Sequence, residues 1–501
     1  MGHLPAVKRL SVTLAIGPHH QDHRFAGQAV LPAVDTLQVL AATVHSHLPA
    51  AVVTRMRGAR FERFLTIAAD AAAVDAVVDL SQDPAGRVTA ALSTRVTAGT
   101  SGITRTKTHG QVSFDREDDP PIPPPADVMG ALEGVCFTVD AAAVYRELVP
   151  FGQAYRNIDG PLLLSADGAV APLAAPDLAA AGERPLGSPF PLDAAFHAAC
   201  VWGQRFAGVV AFPVAIARRC VFSPTSAGGR YLGRVFPVSM TGDHLLFDIW
   251  ICNEDGSPCE AAIGVEMRDV SGGRWLPPAW IRAGCGAPGP EHLTARTAAV
   301  RIVELAAVTT IARSALAPAE AERFAVMGAR RQRSFLAARI ACKRLARSFS
   351  AHWHNAPADT IITVSADDPR PVCPPAAFCS VAHDGRFAVA VAGPTAIGVD
   401  VEPATPRALK TQRIYMSAAE QALVAAASMG PAPAAVRVWT AKEAAAKALG
   451  MTLAQAMTRV QITAIGDGES RLLVDAAASW TVWHDMIDDH LFTLFDATAG
   501  G

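Results

Sequence analysis

Neither sign of charge dominates this sequence, since 44 Lys and Arg stand against 46 Asp and Glu for a net charge of −2. No broad positive field is on offer to a phosphate backbone, and nucleic acid is not expected as a partner. The nine cysteines form no CxxC pair and no metal-ligand spacing. They are expected to be reduced thiols of a cytoplasmic protein, with Cys252 and Cys259 close enough in sequence to leave one disulfide open. Long apolar runs are also missing. Hydrophobic residues make up 50% of the chain, but Pro, Gly or charge soon interrupts each stretch, so no membrane span is expected. Lys8 and Arg9 ahead of apolar residues 10–16 resemble the start of a signal sequence. His19, His20, Gln21 and Asp22 stand where small cleavage-site residues belong, and a first β-strand is expected instead.

What is present falls into three pieces. At 501 residues the chain exceeds one ordinary hydrophobic core, and two or three domains are expected. Residues 115–125 run from acidic side chains into Pro120, Pro121, Pro123, Pro124 and Pro125, whose fixed φ angles and missing N–H groups predict a stiff connector. The stretch GCGAPGP at 284–290 makes a second break. The cuts predict pieces of 1–115, 130–283 and 295–501. The first two combine β-rich runs, such as 208–217 and 245–251, with one apolar helix each, at 34–44 and 192–202. That repetition predicts two copies of an α+β fold in which a sheet wraps a central helix. The third piece opens with a helix from about Pro318, where Arg330, Arg331, Arg333, Arg339, Lys343 and Arg344 crowd together. Such a face is either solvated or a docking surface for phosphates or an acidic partner.

Farther along, Ser380, His383 and Arg386 precede the strand-like FAVAVA, a Gly393-Pro394 turn and the run IGVDVE at 397–402. In an extended chain alternate residues face the same way, so Asp400 and Glu402 turn both carboxylates to one side while Val399 and Val401 face the other. Two carboxylates on one face suit a magnesium ion. The stretch WTAKEAAAK at 439–447 is helical by composition, and Glu443 and Lys447 share a helix face. Each feature alone is an ion pair or an acidic strand edge. Their order, SxxHxxR, then IGVDVE, then WTAKEAAAK, closely resembles the 4′-phosphopantetheinyl transferases of the larger, surfactin-type subclass, across about residues 298–495. RRQRSFLAARIACKRL at 330–345 and SAAE at 417–420 resemble further segments of that family.

The resemblance implies a pseudo-twofold α+β domain over 295–501. It implies Mg2+ held by Asp400, Glu402 and Glu443 on the pyrophosphate of coenzyme A, with Lys442 and Lys447 neutralising phosphate oxygens and His383 touching the coenzyme A phosphates. Glu443, directly or through water, would take the proton of a carrier-protein serine as it attacks the β-phosphate. Where many relatives have Gly-Lys-Pro, this chain has Pro369-Arg370-Pro371. Arg370 is the expected nucleotide contact, with altered geometry.

In the first piece, residues 23–32 fit HxxxGxxxxP, with His23, Gly27 and Pro32 at the fixed positions, just before the apolar helix. In the second, Phe190-Pro191-Leu192-Asp193 opens the other helix and His197 follows one turn later. Tyr145-Arg146 and FGQAY at 151–155, ending in Tyr155, lie between them. Together these resemble the double hot-dog dehydratase domain of polyketide and related lipid synthases, over about 1–283. That resemblance implies His23 as the base that removes the α-proton of a β-hydroxyacyl thioester and Asp193 as the acid that protonates the departing hydroxyl. Tyr155 belongs to a supporting segment and His197 would orient Asp193. Backbone N–H groups near Gly27, at the start of the first helix, would polarise the carbonyl. Asp193 lacks the usual preceding His-Pro, having Phe190-Pro191.

The expected whole is a bifunctional dehydratase and transferase using Mg2+ and coenzyme A. Its acyl carrier protein is expected on another chain, and a homodimer through the hot-dog half is one expectation. Two alternatives stay open: a transferase carrying an inactive hot-dog scaffold that recruits the carrier, and thioester hydrolysis by the hot-dog region.

Overall fold

Pro32 ends an extended segment, and the first central helix, Ala33–His47, follows it with Val34, Leu37, Leu40, Ala41 and Val44 buried along one stripe. The second, Phe190–Trp202, is buried on every side, which is why its sequence shows no polar face. A computed structural model describes all residues except 1–6, 99–102, 117–118, 121, 124, 126, 179–183, 286–288, 365–376 and 498–501. The chain divides into two units, 1–124 with 137–285 and 125–136 with 286–501.

The first unit is a double hot-dog. Its strands run across the sheet as Lys8–Ala15, Ala73–Gln82, Val88–Ala98, Ile103–Phe114 and Arg55–Arg60. They continue as Phe212–Val221, Pro258–Arg268, His244–Cys252, Arg230–Thr241, Gly168–Ala174, Leu162–Ser165 and Phe137–Val139. The two expected sheets are thus one sheet of 12 strands. Arg55–Arg60 pairs antiparallel with Phe212–Val221, from Ala215 opposite Arg60 to Cys220 opposite Arg55, and closes the gap between the repeats. Both central helices pack into one core with the inward faces of these strands.

The second unit has two lobes of one plan. A three-stranded sheet, Ala299–Glu304, Phe387–Gly393 and Phe378–His383, carries the helix Ala329–Phe349. A five-stranded sheet, from Ile397–Pro403 through His490–Asp496, Ala478–Ile487 and Glu469–Val474 to Val460–Ile465, carries the helix Pro431–Leu449. The likeness extends to buried charge. In the first lobe Glu320 accepts from Ala317 N–H (3.0 Å) and Thr363 N–H (2.9 Å) and pairs with Lys343 at 2.7 Å. In the second, Glu420 accepts from Ser417 N–H (2.7 Å) and Ile462 N–H (2.8 Å) and pairs with Lys442 at 2.9 Å.

Residues 125–136 correct one predicted boundary. Of these, 130–136 were expected to open the second hot-dog repeat, but the whole stretch belongs to the C-terminal unit. Gly134 N–H donates to Ile302 O (2.8 Å) and Cys136 N–H to Glu304 Oε2 (2.9 Å). Asp127 accepts from Arg344 (2.8 Å) and Arg347 (3.0 Å). The basic helix is accordingly not one solvated face. Arg330, Arg331 and Arg333 are exposed, whereas Arg339, Lys343 and Arg344 are buried. Among the described residues, seven cysteines including Cys252 and Cys259 are free, while Cys379 is disulfide-bonded, against the expectation of reduced thiols throughout. No helix of the described residues is long and apolar enough to cross a membrane.

Asp127→Ala removes a carboxylate shared by two guanidinium groups. It is expected to cost the C-terminal unit about 1–3 kcal/mol, read as faster hydrogen exchange across 299–349 with exchange in the hot-dog strands unchanged.

Two candidate active sites

In the hot-dog unit, a cavity of about 470 Å3 is lined by His23, Asp193, His197, Phe151, Phe196 and Cys200 among others. His23 ends the turn at 18–22 and stands beside the small hairpin of Arg24–Phe25 and Gln28–Val30. Its Nδ1 lies 3.2 Å from Val30 O. A carbonyl oxygen only accepts, so Nδ1 carries the hydrogen of the neutral ring and Nε2 keeps a lone pair. The ring stacks on Phe151 at 4.3 Å. Burial depresses the pKa of His23, and the nearby Asp193 only partly opposes this.

Asp193 sits in the first turn of the second central helix and is 4% exposed. His197 Nε2 lies 3.1 Å from Asp193 Oδ2, a close ion-pair contact one helical turn apart. Burial alone would push Asp193 up, but attraction from His197 and then His23 holds it below the usual carboxylate range. Behind His197, the Tyr145 hydroxyl lies 3.4 Å from Nδ1 and accepts Ile158 N–H at 2.8 Å. The structure therefore brings His23, Asp193 and His197 to one cavity.

Two supporting expectations change. Gly27 does not start a helix: Ala26 and Gly27 both have positive φ, 49° and 82°, and form the tight turn of the hairpin, with the helix beginning at Ala33. No helix dipole acts at Gly27, and it does not line the cavity. Tyr155 does not line it either; it is buried and donates to Asp35 Oδ2 at 3.3 Å. Asp35 was missed in the sequence. The available signal was its place three residues after Pro32, which mirrors Asp193 in the first turn of the other helix.

In the C-terminal unit, Asp400 and Glu402 lie on the strand Ile397–Pro403, with Val399 and Val401 buried in the core behind them. Glu443 lies on the helix Pro431–Leu449, which packs directly on that strand. The approach depends on Gly398, where a Cβ would overlap the carbonyl oxygen of Ala444. Lys447 Nζ donates to Val399 O (2.9 Å) and Asp400 Oδ1 (2.8 Å) and stands 3.8 Å from Glu443. Asp400 Oδ2 is buried with no hydrogen-bond donor among the described residues. Burial first, then repulsion by Asp400, push Glu443 up to about 7 despite Lys447. Glu402 is raised by burial and then by Asp400. Asp400 and Glu443 share Lys447 as a neighbour, and Glu402 is the next residue on the same strand face as Asp400.

No three His, Cys, Asp or Glu side chains among the described residues form a ready metal shell. The donor set nevertheless fits a small hard cation. Magnesium is held by one or two protein carboxylates with phosphate and water oxygens completing the shell, and Asp400 offers a buried oxygen with no hydrogen-bond donor among the described residues.

His383, at the end of Phe378–His383, faces solvent at one edge. Its pKa is depressed by partial desolvation, then by Lys447 and Arg339. Arg339 lies buried on the basic helix; its Nη1 donates to Thr363 O at 2.8 Å, and its Nε has no hydrogen-bond partner among the described residues. Lys442 is a correction. It is 1% exposed and bound to Glu420 and to Tyr415 O (2.8 Å), because neighbouring helix residues point about 100° apart and Glu443 takes the site-facing direction. Arg370 lies outside the described residues.

Residues 396–494 match a family model described as the 4′-phosphopantetheinyl transferase superfamily. Residues 134–274 match one described as the polyketide synthase dehydratase N-terminal domain. The first span holds Asp400, Glu402, Glu443 and Lys447; the second holds Asp193 and His197 but not His23. The matches give the chain a two-part architecture of transferase and dehydratase types. No curated protein matches. Similar solved structures include the dehydratase domain of a mycocerosic acid synthase-like polyketide synthase, at 17% identity and TM-score 0.42 over 53% of this chain and 94% of that one. A trans-AT polyketide synthase dehydratase domain from Brevibacillus brevis is 20% identical, with TM-score 0.43 over 52% and 93%. The dehydratase domain of PpsC from Mycobacterium tuberculosis, in complex with C12:1-CoA, is 20% identical with TM-score 0.41 over 52% and 93%.

Lys442→Ala leaves Glu420 as a buried, uncompensated charge and is expected to cost about 3–5 kcal/mol in a urea unfolding titration. Coenzyme A affinity of the folded fraction should be unchanged. Lost affinity at full stability would return Lys442 to the site.

Proposed function

We propose that this chain is a bifunctional enzyme that transfers the 4′-phosphopantetheine arm of coenzyme A to a serine of an acyl carrier protein and dehydrates β-hydroxyacyl thioesters on such carriers. The observation that carries the transferase reading is that Lys447 reaches both Asp400 (2.8 Å) and Glu443 (3.8 Å), with Glu402 two residues along the same strand face and Asp400 Oδ2 buried without a hydrogen-bond donor among the described residues. Asp400, Glu402 and Glu443 would hold Mg2+, which when bound offsets the charge of the coenzyme A pyrophosphate. Lys447 acts as a mobile point charge on phosphate oxygens, with His383, Arg339 and Arg370 as further donors. Glu443 takes the proton of the carrier serine as Ser Oγ bonds to the β-phosphorus and the bond to adenosine 3′,5′-bisphosphate breaks. A cavity of about 310 Å3 beside Glu402, lined by Trp439, Tyr415, Ile414 and Met457, has the size and apolar walls for a pantetheine arm.

In the other unit, His23 Nε2 removes the α-proton, Asp193 protonates the departing hydroxyl and His197 holds Asp193 in place. Seven free thiols fit the cytoplasm while the disulfide at Cys379 counts against it, and we place the carrier on another chain. A homodimer through the hot-dog unit belongs to the same reading. One observation favours the scaffold alternative. Asp193 is held below the usual carboxylate range, so at neutral pH it carries no proton to give unless something else raises it.

Incubating apo-carrier proteins with this protein, magnesium and coenzyme A should add one phosphopantetheine mass to the carrier, and Glu443→Gln should slow this by at least about 100-fold. His23→Ala and Asp193→Asn should abolish dehydration of a β-hydroxyacyl carrier while leaving the mass gain intact. Dehydration unaffected by either change would leave the hot-dog unit a scaffold.

A further inference from the structure

His23 reaches the hot-dog cavity from one repeat and Asp193 from the other, so their relative placement depends on contacts made across the repeats. Asp22, the residue before His23, makes such a contact. Its Oδ2 accepts Ala154 N–H at 2.9 Å, and its backbone carbonyl accepts Gly152 N–H at 2.8 Å. Both donors stand at the start of the short turn Gln153–Tyr155. The first N–H groups of a helical turn have no partner within it, and Asp22 supplies acceptors from outside. The fit is close, because a Cβ on Gly152 would land on the Asp22 carboxyl group.

Phe151, just ahead of Gly152, is held by this clamp. Its ring stacks on His23 at 4.3 Å and meets the His197 ring at 5.0 Å. One aromatic side chain therefore touches both the base and the histidine that contacts Asp193, and all four groups line the same cavity. Resting on the dehydration reading above, we propose that Asp22 is a positioning residue. By clamping residues 152–154 of the second repeat it presses Phe151 onto the His23 ring and sets where the base stands relative to Asp193.

The other bonds of His23 do not do this. Nδ1 donates to Val30 O at 3.2 Å, and the His23 carbonyl accepts Val30 N–H at 2.9 Å. Both bonds lie within the first repeat. They fix which ring nitrogen carries the hydrogen, but they do not tie the ring to the repeat that carries Asp193. Proton removal needs the Nε2 lone pair within hydrogen-bond reach of the substrate Cα–H, while Asp193 stays at the departing hydroxyl. A displacement of about 1 Å in such an arrangement costs on the order of 100-fold in rate.

Asp22→Ala removes the carboxylate acceptor and leaves the backbone bond. With rates normalised to folded enzyme, kcat for dehydration of a β-hydroxyacyl carrier should fall at least about tenfold while KM changes little, since the cavity walls remain. Asp22→Asn keeps an oxygen acceptor in the same place and should restore most of that rate. Gly152→Ala, whose Cβ would displace the carboxyl group, should reproduce the loss from the other repeat. The His23 Hε1 proton resonance, assigned by its loss in His23→Ala, gives a readout independent of turnover. The Phe151 ring shields it in the wild type, so it should move downfield in Asp22→Ala and stay in place in Asp22→Asn. A folded wild type that does not dehydrate would sink the dehydration reading, and the resonance would still decide whether Asp22 holds the ring. A resonance that Asp22→Ala leaves in place, an active Asp22→Ala as fast as the wild type, or an Asn variant as slow as the Ala variant would overturn the proposal.

Discussion

A helix lies on a strand so closely that no side chain fits between them: at Gly398 even a methyl group would overlap the Ala444 carbonyl. From that contact the rest of the C-terminal site follows. Glu443, next to Ala444, is brought beside Asp400, and Lys447, one turn on, reaches Asp400 and the Val399 carbonyl. Three carboxylates in so small a volume repel one another, and one lysine does not neutralise them. The surplus negative charge is an unfavourable feature of the isolated fold, and a cation with its phosphate ligand would relieve it.

The repeated lobes separate structural charge from site charge. Lys343 and Lys442 each pair with a buried glutamate that also caps the start of a helix, Glu320 in one lobe and Glu420 in the other. A cation used in the same way twice has a folding role in both. Beside each lies the residue that differs between lobes: Arg344, paired with Asp127 from the strap at 125–136, and Glu443, which faces the acids. The hot-dog unit divides its chemistry likewise, with His23 from one repeat and Asp193 from the other meeting at one cavity.

Much of this was legible in the sequence. Alternation in IGVDVE placed Asp400 and Glu402 on one face, and HxxxGxxxxP with the later Asp193 and His197 named the groups at the hot-dog cavity. Direction around a helix was not legible, since Lys442 and Lys447 look alike until Glu420 claims the former. Nor was long-range pairing: nothing local tells that 125–136 joins a strand and helix far along the chain, or that Arg55–Arg60 continues the sheet into Phe212–Val221. Gly27 was misplaced because a glycine before a helix and a glycine in a two-residue turn read the same until both φ angles are known. Asp35 escaped notice because a carboxylate in a first helical turn is ordinarily a solvated end group, and only burial under Tyr155 and His20 makes it otherwise.

If the three acids form a site finished by phosphate oxygens, cation and coenzyme A must bind cooperatively. A titration of the protein with Mn2+, followed by electron paramagnetic resonance with and without coenzyme A, measures this directly. Weak binding to the protein alone, tightened at least about tenfold by coenzyme A, is the predicted result. An affinity that coenzyme A leaves unchanged would contradict it.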